Sequence, residues 1–70
     1  MTKTYEEVKE FQERLKTELR VPNLGRRDIQ EKYDEHQSLM DTLDTSTWHE
    51  DEKEATTLRQ KIIQRLYEKL

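Results

Sequence analysis

Cysteine is absent from this 70-residue chain. A disulfide framework, a cysteine-based zinc site and a thiol nucleophile are thereby excluded, and secretion gains no support. Proline and glycine occur once each, three positions apart, in Val21-Pro22-Asn23-Leu24-Gly25-Arg26-Arg27. The chain is therefore punctuated strongly at one place. No apolar run exceeds two residues, Leu39-Met40, Ile62-Ile63 and Leu66-Tyr67 being examples. A membrane span needs about 20 predominantly apolar residues and a signal peptide an apolar stretch of about 7–15. The expectation is a cytoplasmic chain with neither.

Imidazoles are scarce as well, with only His36 and His49. A hydrolytic triad draws its nucleophile, base and carboxylate from separate parts of a fold. His36, Gln37 and Ser38 are neighbours in sequence, and successive residues of a helix point about 100° apart. His36 falls instead on an apolar seam, which makes it a core histidine. His49 stands in Trp48-His49-Glu50-Asp51-Glu52. Helical metal pairs need ligands at i and i+3 or i+4, supported from elsewhere as in H-E-x-x-H, and His49 has Glu52 and Lys53 at those places. No enzymatic activity, metal or cofactor is expected.

What the chain has in abundance is charge: 41% of residues are charged and 30% apolar, with a net charge of −3. That balance approaches disordered composition, yet the apolar residues recur at helical spacing, which argues for order. A chain this short buries only about 60% of its unfolded surface, so a partner or self-association would add stability. The acids Glu50, Asp51, Glu52 and Glu54 precede the bases Arg59, Lys61, Arg65 and Lys69, the order a helix dipole favours.

Three helices account for the pattern, at about 5–20, 26–43 and 48–69, and the fold class is a single all-α domain, a small three-helix bundle. The first opens at Thr4, which forms a T-x-x-E capping box with Glu7, and carries Tyr5, Val8, Phe11, Leu15 and Leu19 on one stripe. Pro22 stops it, because the residue before a proline is pushed out of the α region. The second carries Ile29, Tyr33, His36, Met40 and Leu43 at alternating spacings of four and three. Asp44-Thr45-Ser46-Thr47 interrupts the pattern, and a second capping box, Thr47 with Glu50, places the third helix start near Trp48. Its stripe is Trp48, Ala55, Leu58, Ile62, Leu66 and Leu70, widened by Ile63 and Tyr67. As the widest face it is the central helix of the bundle, or the extra width meets a partner.

Residues 17–31 resemble a known segment. Leu19, the turn Pro22-Asn23-Leu24-Gly25 and the basic pair Arg26-Arg27 are similar to a helix-hairpin-helix-like stretch in the C-terminal domain of the bacterial RNA polymerase α subunit. In that family the turn glycine, the second basic residue and the following serine approach the DNA backbone. The resemblance implies that Asn23, Gly25, Arg26 and Arg27 could meet a phosphate, while Asp28 stands where the family has the serine and Lys32 where it has an apolar residue.

Function divides into three readings. The leading one is a small regulator, inhibitor or assembly adaptor of a bacterial or phage accessory type, binding a protein partner. Its surface is either the acidic patch with its aromatic anchor, Trp48, Glu50, Asp51 and Glu52, or the broad end of the third helix, Ile63, Tyr67 and Leu70, which could also form a homodimer. The alternative is DNA binding through Asn23, Gly25, Arg26 and Arg27. The third is acidic mimicry of nucleic acid. No membrane contact is expected.

Overall fold

The computed structural model describes residues 3–21 and 25–69. Among these residues the chain forms three helices and no strand: α1 Tyr5–Leu19, α2 Arg26–Thr42 and α3 Glu50–Glu68. None of them is long and apolar enough to cross a membrane. The small all-α three-helix bundle expected from periodicity is the observed fold.

The first helix starts where its capping residue predicts. Thr4 is extended, and its hydroxyl accepts a hydrogen bond from the Glu7 N–H at 3.3 Å, satisfying one of the first-turn donors. The helix closes through Arg20 N–H to Thr17 O and Val21 N–H to Glu18 O. The stop expected from Pro22 lies outside the described residues. The second helix begins at Arg26 with an extended Gly25 as its N-cap and no side-chain cap.

The start of α3 corrects the sequence expectation. It begins at Glu50 rather than near Trp48, and Glu52, not Glu50, closes the cap by accepting from the His49 N–H at 3.0 Å. The reason lies in the preceding turn. Asp44 accepts from the Ser46 N–H at 3.0 Å and Trp48 N–H donates to Thr45 O at 3.0 Å, so residues 44–48 close on themselves and the first helical residue moves two positions on.

The central helix is also different from the one expected. α1 packs on both of its neighbours, most extensively on α3, whereas α3 meets α2 only lightly. α2 meets α3 at the stacked rings of Tyr33 and Tyr67, with centroids 3.9 Å apart, and through a hydrogen bond from Tyr67 Oη to Gln30. Leu15, Leu19, Ile29 and Ile63 form the buried cluster, with Phe11, Tyr33, Leu66 and Tyr67 packed around it. Val8 is buried further along α1.

Above this apolar cluster lies a polar layer with one residue from each helix: Gln12, His36 and Thr56, which are 0%, 1% and 5% exposed. Gln12 and Thr56 are absent from the apolar stripes because their side chains carry no hydrophobic signal. They are buried because they occupy the inward face of their helices between apolar turns.

Candidate protein-binding surface

The outer face of α3 is set by how its inner face is used. Ile63 is 0% exposed. On a helix of 3.6 residues per turn, Leu58 lies about 140° away from Ile63, and it is correspondingly 60% exposed. Leu58, Ile62 and Leu66 each advance by about 40° around the axis, from open solvent at Leu58 through the half-buried Ile62 to Leu66 at the edge of the core. These three residues form an apolar strip that no other helix covers at its outer end.

Of the residues expected on the partner surface, Ile63 belongs to the interior and Tyr67 is partly buried against it. Ile63 is the most buried residue of α3, and Tyr67 stacks on Tyr33 and donates to Gln30. The sequence misleads because Ile62 and Ile63 are adjacent, so a periodic stripe is equally apolar on either side of them. Thr56 and Arg59 fall on the truly buried side and lower its apparent apolarity. Leu70 lies outside the described residues. Leu58, placed on the helix-three stripe, is the exposed member of the strip.

The other expected patch is built around the α1 start. Trp48 is half-buried, with its ring edge-on to Tyr5 at 5.4 Å and 81°. Arg59 lies over the Tyr5 ring, its guanidinium 5.5 Å from the centroid, and donates to Tyr5 Oη at 3.0 Å and to Glu13 Oε1 at 3.2 Å. Trp48 is thus a lid on the chain's own aromatic cluster, and the joint it closes between α1 and α3 includes an arginine that no motif singled out. Glu50 pairs with Lys53 at 3.4 Å, and Glu52 is the α3 cap. Asp51 is exposed.

Slight desolvation pushes the exposed Glu13 carboxyl up, but the Lys16 ammonium and the Arg59 guanidinium outweigh it and hold the group below its ordinary range. For His36 burial acts alone, and it lowers the imidazole from 6.5. Geometry agrees. Gln12 Nε2 faces His36 Nε2 at 3.2 Å, Thr56 O at 3.3 Å and, more distantly, Met40 Sδ at 3.9 Å; an amide N–H directed at His36 Nε2 requires that nitrogen to be unprotonated. Gln12 Oε1, His36 Nδ1 and Thr56 Oγ1 are buried without a hydrogen-bond partner. A histidine so placed cannot serve as a base for an external substrate, because its free nitrogen is sealed in the core.

The turn residues of the nucleic-acid reading are only partly described. Asn23 lies outside the described residues, Gly25 is the α2 N-cap, and Arg26 and Arg27 are exposed. The Asp28 carboxylate approaches to 3.9 Å of the point that a Gly25 Cβ would occupy. An acid therefore already stands at the mouth of the α2 N-terminus. Further along α2, an open trough of about 630 Å³ lies between Lys3 and the helix, bordered by Glu31, Asp34 and Glu35. Among the described residues no group of three or more His, Cys, Asp or Glu side chains is arranged to hold a metal ion.

No family model, curated protein or solved structure matches this chain. What the fold and surface define is an all-α three-helix domain whose distinctive exposed feature is the outer strip of α3.

Proposed function

We propose that this chain is a small non-enzymatic protein-binding module that presents the outer face of α3. The observation that carries the reading is Leu58, 60% exposed in the middle of the longest helix and continuous with Ile62. Leucine favours helix even where it is solvated, and a partner that covers Leu58 would in addition remove apolar surface from water at roughly 25 cal/mol per Å².

DNA binding through Gly25, Arg26 and Arg27, with Asn23 beside them, ranks second. Its support is the pair of exposed arginines at an N-terminus without a side-chain cap. Asp28 beside Gly25 and the net charge of −3 work against phosphate approach. Acidic mimicry of nucleic acid would use the Glu50 to Glu54 cluster with the carboxylates of α2, but Glu50 is paired with Lys53 and Lys3 stands in the trough beside Glu31, Asp34 and Glu35.

Affinity capture with the full chain, from a lysate treated with nuclease, tests the leading reading against both. The parent and Arg26→Glu/Arg27→Glu should retain a protein that Leu58→Glu loses, and that protein should rebind when purified. A partner retained equally by folded Leu58→Glu overturns the α3 reading. Capture that needs nucleic acid and both arginines would establish the DNA reading in its place.

A further inference from the structure

We infer that the partner for the α3 face is a second copy of this chain, docked antiparallel about a two-fold axis that passes between Leu58 and Ile62. The inference rests on the reading of that face given above and names its occupant.

Charge placement along α3 carries the argument. Within about 40° of Leu58 around the helix lie Asp51 and Glu54 toward the N-terminal end, and Arg65 and Lys69 toward the C-terminal end. All four are exposed. The ion pairs of the described residues are Lys16 with Glu13, Lys32 with Glu18, Lys53 with Glu50 and Arg59 with Glu13, so none of these four takes part in one. Beside the apolar strip, the helix thus shows an acidic half and a basic half.

A two-fold axis perpendicular to the helix turns that segregation into complementarity. It sets Leu58 of one copy on Ile62 of the other, and each appears twice, as an isologous contact demands. The same register sets Asp51 against Lys69 of the second copy, and Glu54 against Arg65. A parallel arrangement would oppose Asp51 to Asp51 and Lys69 to Lys69, so the charges select the antiparallel one. Glu68, on the flank of the basic half, is the one acidic side chain that departs from the segregation.

The size of the contact sets its strength. Nineteen residues span about 28 Å, and a single helix pair of that length stays below the roughly 1,200 Å² that separates weak interfaces from standard ones. Only the outer end of the apolar strip is free, because Leu66 also packs on the chain's own core. The dimer is therefore reversible, with its population set by concentration.

Sedimentation equilibrium of the full chain reads this directly over about 10 µM to about 1 mM, the range in which weak interfaces populate. The parent should shift from its monomer mass of 8.6 kDa towards twice that value. Leu58→Glu should remain monomeric throughout with unchanged helical circular dichroism. Asp51→Lys/Glu54→Lys should be monomeric, as should Arg65→Glu/Lys69→Glu, while the chain carrying all four reversals should regain the dimer. Recovery by the fourfold variant would not occur in a parallel pair. A parent that stays monomeric at the top of the range overturns the dimer and leaves a different protein partner to the capture experiment. A dimer that survives Leu58→Glu, or that the fourfold reversal fails to restore, overturns the register and the face.

Discussion

Gln12 of α1 and His36 of α2 meet side chain to side chain at 3.2 Å, both shut away from solvent, with the second amide N–H of Gln12 directed to Thr56 O on α3. One amide thus ties all three helices together at a level where apolar packing alone would not distinguish one rotation of a helix from the next. The arrangement holds only while His36 is neutral.

Acidification should therefore weaken the fold before any carboxylate is involved. The folded protein holds His36 below 6.5, so the unfolded chain binds the proton first, and stability rises with pH through the window below 6.5 and is lost as pH falls through it. The groups around the ring are Gln12, Thr56 and Phe11, whose ring stacks at 6.2 Å; none is an acid that would offset the charge. Glu13 and Asp44, held down by their partners, act in a separate window, below 4.5 and 3.8, where their protonation removes stability. Thermal melts across pH should show a first decline below 6.5 that His36→Leu abolishes and His49→Gln does not.

Replacing Gln12 and His36 together should cost less than the sum of the two single replacements. Gln12→Leu leaves the buried His36 Nε2 without its donor, a loss of about 1–3 kcal/mol. The double variant Gln12→Leu/His36→Leu removes both polar groups together with the unpartnered Gln12 Oε1 and His36 Nδ1, and its cost should fall below the sum of the two single changes. Urea denaturation of the four proteins in a double-mutant cycle measures the coupling. Additive values would show that the contact contributes nothing.

Ile63 and Leu58 should behave oppositely although both are large aliphatic residues of one helix. Ile63→Ala opens a cavity in the cluster and should cost about 2–5 kcal/mol. Leu58→Ala, in dilute solution where the chain is monomeric, should change stability by no more than about 0.5 kcal/mol. Equal effects in urea melts would contradict the rotation of α3.

Trp48 is the only tryptophan and reports on the joint between α1 and α3. Tyr5→Ala removes the ring it rests on, so its emission in native buffer should move to longer wavelength. Arg59→Ala should do the same more weakly and cost more stability than Glu13→Gln, because Arg59 contacts Tyr5 as well as Glu13. Emission unchanged in Tyr5→Ala would place Trp48 elsewhere.

The α3 cap separates two otherwise similar residues. Glu52→Ala removes the acceptor for the His49 N–H and should cost about 0.3–1.5 kcal/mol. Thr47→Ala, two residues before the cap, should be close to neutral. The reverse result would restore the start expected near Trp48.

By itself the sequence determined that there would be three helices, roughly where they would run, and which residues would share a face on each. Those properties are local. They follow from a 3.6-residue period, from Thr4 as a cap and from the single Pro22–Gly25 break, and they need no knowledge of what packs against what. The Thr47–Glu50 box was equally plausible at that level and lost because Asp44 and Thr45 claimed the turn for their own hydrogen bonds. The rotation of α3 was decided only in three dimensions. Its apolar sector spans more than one neighbour can cover, and the stacking of Tyr67 on Tyr33, the reach of Arg59 to Tyr5 and Glu13, and the Gln12 bond to Thr56 together turned Ile63 inward. Leu58 was left facing out. A periodic pattern names the members of a face, but the neighbours that pack on it select which part is buried, and that selection put the candidate surface on the outer strip of α3 instead of at Ile63 and Tyr67.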